Sequence, residues 1–132
     1  MENILWKPSS PEKTQMAQLI NRINESYGLG MNSYAELHNW SINHIPEFWK
    51  EIWDYCEIKH SVSFSQVVDD EHQMPGAKWF SGAKLNFAEN LLRFQDDHPA
   101  IHFKGEGQPV RTLTYKELFN DCLLYTSDAA DE

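Results

Sequence analysis

The chain has 132 residues, 41% of them hydrophobic and 23% charged, which suffices for one modest domain that buries roughly 70% of its unfolded surface. Its net charge of −9, with no basic patch, excludes a nucleic-acid backbone as a partner and disfavours an anionic membrane surface. Two cysteines are too few for a disulfide framework, and neither a secretory signal nor a membrane-spanning apolar run occurs, so we predict a cytoplasmic protein.

The first predicted helix follows a proline-containing segment near the N-terminus. Ser9 or Ser10 can accept a hydrogen bond from a free backbone N–H at the helix start, and Pro11 already has the φ angle of a first helical turn. Apolar residues then recur at helical spacing as far as Gly28, a residue type that often ends helices. This apolar stripe consists of Met16, Leu19, Ile20, Ile23 and Tyr27.

Two further helices are predicted before the pattern changes. Ser33 and Glu36 have the spacing of a capping box, in which two side chains satisfy backbone donors at a helix start, so we expect a helix through about Trp40. Pro46 opens the next helix. Its apolar residues fall on one face, where burial of a large side chain contributes roughly 1.5–3 kcal/mol. These residues are Phe48, Trp49, Ile52, Trp53 and Cys56.

Beyond Lys59 the apolar spacing indicates an extended segment, with Val62, Phe64 and the pair at 67–68, and residues 69–76 form a loop that ends in Pro-Gly. Residues 79–94 then combine an aromatic pair, a glycine turn and a capped helix. Asn86 with Glu89 is a second capping box, worth about 1 kcal/mol, which starts a helix at Phe87. The apolar face of this helix, Phe87, Leu91 and Phe94, must pack against another surface.

The remaining elements are a hairpin and a helix start. Residues 100–103 and 110–113 are apolar and extended, and the glycine-rich and proline-containing residues 105–109 between them predict a turn. Thr114 with Glu117 gives another capping box, which starts a helix through Phe119.

Residues 79–94 closely resemble a signature near the N-terminus of the acetoacetyl-CoA synthetases, which belong to the acyl-adenylate-forming ligase superfamily. Residues 5–9, 34–41 and 47–54 resemble other segments of this family in the same order. The resemblance therefore extends to about residue 120. The Leu-His-x-Trp-Ser element at residues 37–41 is similar to the acetoacetyl branch rather than to the acetyl and propionyl branches.

The resemblance implies an α+β fold that is an incomplete piece of a larger α/β adenylate-forming enzyme. Residues 1–98 would form a mainly helical N-terminal cap, and residues 99–122 the truncated start of an AMP-binding domain, with a hairpin and a helix start. The implied activity is AMP-forming acetoacetate–CoA ligation in lipid and ketone-body metabolism, with ATP, Mg and CoA as cofactors and substrates of the full-length enzyme. The implied partners are the remainder of the AMP-binding domain and small-molecule substrates.

Catalytic, cofactor-binding and metal residues are all predicted to be absent from this chain. The family's phosphate loop, its later Tyr-Gly-x-Thr-Glu-type segment, its hinge and its C-terminal lysine have no match among these residues. Residues 123–132 depart from the family pattern, which would continue the last helix with apolar residues. They resemble the translated read-through of a sequencing adapter, and we expect this tail to be artefactual.

Other chemistry-bearing residues give weak signals. Gly105 and Gly107 lack the third glycine of a dinucleotide-binding loop, and the acidic residues 69–71 favour a solvated loop over a cation site. Lys84 and Arg93 favour surface roles over anion binding. The histidines have no cysteine partners at ligand spacing, so no structural metal is predicted. They are His38, His44, His60, His72, His98 and His102.

Two other interpretations stay open from the sequence. Acetyl-CoA and propionyl-CoA synthetases share the N-terminal cap and differ mainly in an acyl pocket that this chain lacks. A free-standing helical module that binds a partner protein through Trp49, Trp53 and Trp79 would also explain the many aromatic residues.

Overall fold

The structure is a computed structural model that describes the backbone of residues 6–128 and the side chains of residues 6–122. It confirms the α+β class, with helices and two small antiparallel sheets. The chain divides into two units, Met1–Lys84 and Leu85–Glu132. After a short 3-10 helix, Pro11–Lys13, the elements are α1 (Gln15–Tyr27), α2 (Tyr34–Asn43), α3 (Ile45–Tyr55), β1 (Gln66–Val68), β2 (Trp79–Ser81), α4 (Phe87–Leu91), β3 (Pro99–Phe103), β4 (Arg111–Thr114) and α5 (Tyr115–Asp128).

The cap of α1 is Thr14, so the prediction of Ser9 or Ser10 was wrong. Pro11–Lys13 complete only one 3-10 turn, and Thr14 then adopts an extended conformation with ψ of 153°. Its Oγ1 accepts a hydrogen bond from the Ala17 N–H at 3.3 Å, which starts the α-helix. The predicted end is confirmed, because Gly28 has a left-handed φ of 64° and its N–H donates to the Asn24 carbonyl.

The core of the first unit lies between α1 and α2 and is covered by α3. Ile23 is fully buried at its centre. Met16 and Tyr27, the two ends of the predicted stripe on α1, are partly exposed. The buried residues are Leu19, Ile20, Ile23, Met31, Leu37 and Trp40, with Phe48, Ile52 and Tyr55 packed against them.

Helix α3 uses two neighbouring lines of apolar residues rather than the single face predicted. Phe48 and Ile52, four residues apart, pack on the α1–α2 core. Trp53 instead lies 5.2 Å from the ring of Phe64 and 4.6 Å from that of Phe80, between ring centroids. Because adjacent helical positions are about 100° apart, α3 can contact the helical core and the β1–β2 region at once.

Strands β1 and β2 form an antiparallel pair in which Gln66 lies opposite Ser81 and Val68 opposite Trp79. The acidic loop between them has a structural role, since Oδ1 of Asp69 accepts hydrogen bonds from the N–H groups of Asp70 and Lys78, both at 2.8 Å. The extended segment predicted after Lys59 is confirmed.

In the second unit, Oδ1 of Asn86 accepts a hydrogen bond from the Glu89 N–H at 3.3 Å, so α4 begins at Phe87 as predicted. The helix ends at Leu91, and Phe94 therefore lies outside it. Phe87, Leu91 and Phe94 are all exposed within the described part of the chain.

The predicted hairpin and the predicted start of the last helix are both present in the structure. β3 and β4 pair antiparallel, with Ile101 opposite Leu113 and an irregularity near Pro99. The Thr114–Glu117 capping box is reciprocal: the Glu117 N–H donates to Thr114 Oγ1 at 3.2 Å, and the Thr114 N–H donates to Glu117 Oε2 at 2.8 Å. Helix α5 continues to Asp128, beyond the predicted Phe119. Within the expected artefactual tail, residues 129–132 and the side chains of 123–128 lie outside the described residues.

Candidate functional site

The buried charge of the first unit is a structural pair. Glu51 on α3 has a side chain only 6% exposed, and its Oε2 accepts a hydrogen bond from Nε of Arg22 on α1 at 3.0 Å. Burial, and then the nearby negative charge of Glu51, raise the pKa of the Tyr27 hydroxyl. The carboxylate is thus committed to holding α1 against α3.

An open groove of about 330 Å³ runs beside α2. One wall holds the stacked rings of Trp40 and His44, whose centroids are 5.3 Å apart at an angle of 14°. The opposite wall is the loop at Met31, which Asn24 fixes by accepting from the Met31 N–H at 2.9 Å and donating to its carbonyl at 2.8 Å.

The polar groups along this groove serve the fold. The N–H of Asn32 and the hydroxyl of Ser33 both donate to the Glu36 carboxylate, and these bonds, the first being the stronger cause, lower the pKa of Glu36. Asn43 donates to the carbonyl of Asn39 at 2.6 Å. Within the part of the chain that the structure describes, these polar groups make local hydrogen bonds, and none is arranged for acid–base or nucleophilic chemistry.

Each of the six histidines makes a local contact. His60 is 5.5 Å from the ring of Trp53, His98 approaches Asp96 at 3.1 Å, and His102 lies 3.0 Å from the hydroxyl of Thr112. No cluster of three or more His, Cys, Asp or Glu side chains suited to a metal ion occurs among the residues that the structure describes.

The remaining weak candidates also have ordinary local roles. Gly105 and Gly107 shape the β3–β4 turn, in which the Gln108 N–H donates to the Gly105 carbonyl at 3.2 Å. The Arg93 guanidinium lies 4.9 Å from the ring centre of Phe94. The backbone of Lys84 pairs with Val62. Within residues 6–128, no helix is long and apolar enough to cross a membrane.

The first unit also carries an exposed pair of tryptophans. Trp49 on α3 and Trp79 on β2 meet edge to face, with centroids 5.9 Å apart, and each ring-bearing residue is 42% exposed. We call this pair the tryptophan edge. Trp53, the third tryptophan of the module hypothesis, is only 8% exposed and belongs to the interior. Only Trp49 and Trp79 are therefore available on the surface for the partner binding that the module hypothesis requires.

Residues 34–91, which include this pair, match the family model described as acetyl-coenzyme A synthetase N-terminus. The match begins with α2 and ends with α4, so it covers α3, both strands of the first sheet and the tryptophan edge.

Similar proteins extend this family match to most of the chain. A malonamoyl-CoA synthetase, vrtB, of Penicillium aethiopicum is 50% identical over 124 residues, which is 89% of this chain and 17% of that protein. The acetoacetyl-CoA synthetase of Xenopus tropicalis is 37% identical over 127 residues, 94% of this chain and 19% of that protein. The resemblance to acetoacetyl-CoA synthetases is confirmed.

A solved structure is similar as well. Acetoacetyl-CoA synthetase from Streptomyces lividans matches with a TM-score of 0.73 and 31% identity, over 86% of this chain and 18% of that one. The chain thus spans less than a fifth of the length of each of these three synthetases. It corresponds to their N-terminal part.

Three residues that stabilise the fold were not predicted from the sequence. Thr14 was hidden by the stronger signal of Ser10-Pro11, and Asn24 carries no pattern that points to Met31. Glu51 did offer a signal, because it lies three residues after Phe48 and four before Tyr55 on an apolar face, where an acid requires a partner.

Proposed function

We propose that this chain is the N-terminal part of an AMP-forming acetoacetate–CoA ligase of the cytoplasm. The observation that carries the proposal is the similarity to acetoacetyl-CoA synthetases over 94% of the chain, supported by the fold shared with one of them. Residues 1–98 act as a helical cap, and residues 99–122 begin the AMP-binding domain, whose remainder is the partner of this chain.

In the proposed reaction the carboxylate of acetoacetate attacks the α-phosphorus of ATP and diphosphate leaves, which forms an acyl-adenylate. The sulfur of CoA then attacks the acyl carbon and AMP leaves. The groups that bind ATP, Mg and CoA belong to the remainder of the enzyme. None of the side chains of residues 6–122 is assigned a catalytic, cofactor-binding or metal-binding role.

A second substrate, malonamate, is favoured by the 50% identity to the malonamoyl-CoA synthetase. Both acids carry a carbonyl group at the position β to the carboxylate, and they differ only in a terminal methyl or amino group of similar size. The activation chemistry is therefore the same for both. Discrimination depends on whether the acyl pocket offers hydrogen-bond partners to the amide, which is the kind of difference that enzymes discriminate strongly.

The test uses the longer gene product that contains residues 1–122. Release of diphosphate from ATP is measured with acetoacetate, malonamate, acetate and propionate in turn. Activity highest with acetoacetate supports the first proposal, and activity highest with malonamate supports the second. A preference for acetate or propionate, or no activation of any of these acids, contradicts both.

The 132-residue chain alone is the matched control. Because the proposal assigns no catalytic group to it, we expect no acetoacetate-dependent diphosphate release and no ATP binding by calorimetry at millimolar nucleotide. Acetoacetyl-adenylate formed by this chain would overturn the assignment of the chemistry to the remainder of the enzyme.

A further inference from the structure

The tryptophan edge connects two packed groups of aromatic rings in the first unit, each of which contains a buried tryptophan. On one side Trp49 lies 5.6 Å from Phe48, which in turn lies 6.5 Å from Trp40 in the helical core. On the other side Trp79 lies 6.5 Å from Phe80. The two exposed rings are thus held in place by packed neighbours from both directions.

The contrast in exposure within this network is large. Trp49 and Trp79 are 42% exposed, whereas Trp40 and Trp53 are 8% exposed. Tryptophan is the residue type most enriched among side chains that dominate binding energies at interfaces. Rings already fixed by their neighbours also lose little side-chain entropy when a partner covers them. The tryptophan edge therefore has the properties of a preformed anchor.

We propose that the tryptophan edge is the place where a later part of the same polypeptide, beyond residue 122, docks onto this unit. The inference rests on the proposed function, since it requires that the chain is the beginning of a longer ligase. The similar synthetases are about five times as long as this chain, so a large protein surface is available in cis.

The size of the tryptophan edge favours an occupant in the same polypeptide. A buried tryptophan contributes about 150–250 Å² of surface, so two rings at 42% exposure offer roughly 200 Å² together. A stable interface between separate proteins needs about 800 Å² on each side. A covalent link supplies a high effective concentration, so a small apolar contact suffices within one chain but not between two copies.

Hydroxyl-radical footprinting with mass spectrometry measures the oxidation rate of each tryptophan and tests this docking directly. The 132-residue chain and the longer gene product are compared, with Trp40 as the buried reference in both. We expect oxidation of Trp49 and Trp79 to fall about fivefold in the longer protein, the ratio of their exposure to that of Trp40. Equal rates in the two proteins overturn the proposal.

The docking proposal is also overturned if Trp49 and Trp79 are already protected from oxidation in the 132-residue chain. If that protection grows with protein concentration, a second copy is the occupant. If it does not, the occupant lies within residues 1–132.

A charged substitution provides the second arm. Trp49→Glu in the longer protein should restore fast oxidation of Trp79, because a carboxylate cannot be buried in an apolar contact without a partner. Ile42→Glu, at an exposed apolar position on α2 outside the aromatic network, is the matched control and should leave Trp79 protected. Continued protection of Trp79 in Trp49→Glu contradicts the docking.

The two experiments distinguish an incorrect docking proposal from an incorrect proposed function. Protection of the tryptophan edge in a longer protein that activates none of the four acids upholds the docking and rejects the ligase activity. Normal ligase activity with both tryptophans freely oxidised upholds the activity and rejects the docking.

Discussion

At the scale of single residues, the Arg22–Glu51 pair joins a buried carboxylate on α3 to a partly exposed guanidinium on α1. The Glu51 side chain is 6% exposed and that of Arg22 is 44% exposed, so only the carboxylate is removed from water. A buried carboxylate that loses its cation retains the full cost of desolvation. The stability of the α1–α3 contact is therefore more sensitive to Arg22 than the exposure of Arg22 suggests.

We predict that Arg22→Met lowers the free energy of unfolding by about 2 kcal/mol, since it keeps the aliphatic stem but leaves the Glu51 carboxylate without its cation. The double variant Arg22→Met/Glu51→Leu should recover most of this loss. Urea unfolding of both variants measures the effect. The control is Lys50→Met, which removes the partly exposed Lys50–Asp54 pair and should cost less than about 0.5 kcal/mol. Equal effects of Arg22→Met and Lys50→Met would contradict the prediction.

Gly28 gives a second prediction at this scale. Its φ of 64° is unfavourable for other residues, and a Cβ added there meets no atom within 4 Å, so the cost of Gly28→Ala is conformational alone. We expect a loss of about 1 kcal/mol in the free energy of unfolding. Gly30→Ala is the matched control, because a Cβ there also meets nothing within 4 Å and its φ lies outside the left-handed range. Unfolding midpoints that do not separate the two variants would count against this account.

At the scale of elements, capping boxes define the starts of α2 and α5. In each one a glutamate accepts hydrogen bonds that strengthen when it is ionised. A backbone N–H of Asn32 lowers the pKa of Glu36, and that of Thr114 lowers the pKa of Glu117. The helix starts are therefore linked to pH.

A pKa lowered by folding means that the ionised carboxylate stabilises the folded state. The stabilisation by Glu36 is complete above its unfolded pKa of about 4.3 and is lost as the pH falls through the lower folded pKa. We therefore predict that wild type is more stable than Glu36→Gln at about pH 6, and that the gap shrinks as the pH falls below the unfolded pKa of Glu36. Urea unfolding of both proteins across this range checks it, and a gap independent of pH would refute the role of the carboxylate charge.

The β3–β4 hairpin combines unpaired edges with exposed apolar side chains. The sheet has two strands, and neither outer edge is paired within the described residues. Ile101, Phe103 and Val110 are exposed along it. An isolated two-stranded sheet is marginal in water, and its open edges favour association.

At the scale of the whole molecule, we expect stability to be uneven between the two units. In the 132-residue chain the amides of β3 and β4 should exchange with solvent at least about tenfold faster than those of α1, because the hairpin has few buried contacts. Hydrogen exchange measured by mass spectrometry on peptides from each element tests this. In the longer gene product the hairpin should become protected, since additional strands or helices would cover it. Equal protection of α1 and the hairpin in the short chain would show that the hairpin is stable alone.

Exposed apolar residues in the second unit lead to a related expectation for the isolated chain. Phe87 on α4 is 76% exposed, and Leu91 and Phe94 are exposed beside it in sequence. Contiguous apolar surface beyond a few hundred Å² is unusual on a stable monomer. Association of the 132-residue chain at high concentration should therefore be stronger than that of the longer protein, which light scattering can measure.

Local chemistry let the sequence determine where most elements begin and end. The caps at Ser33, Asn86 and Thr114 lie where predicted, because each capping bond joins atoms only three residues apart. Gly28 ends α1 for the same local reason. The order of several motifs, rather than any single one, indicated the resemblance to acetoacetyl-CoA synthetases, which the comparisons confirmed.

Burial, in contrast, was decided only by the tertiary structure. Trp49 and Trp53 are one helical turn apart on α3, yet one remains half exposed and the other is buried by Phe64 and Phe80. Arg22 and Glu51 meet across 29 positions of sequence. Such contacts depend on how separate elements pack together. Helical spacing alone does not specify which residues of other elements will cover two side chains that lie one turn apart.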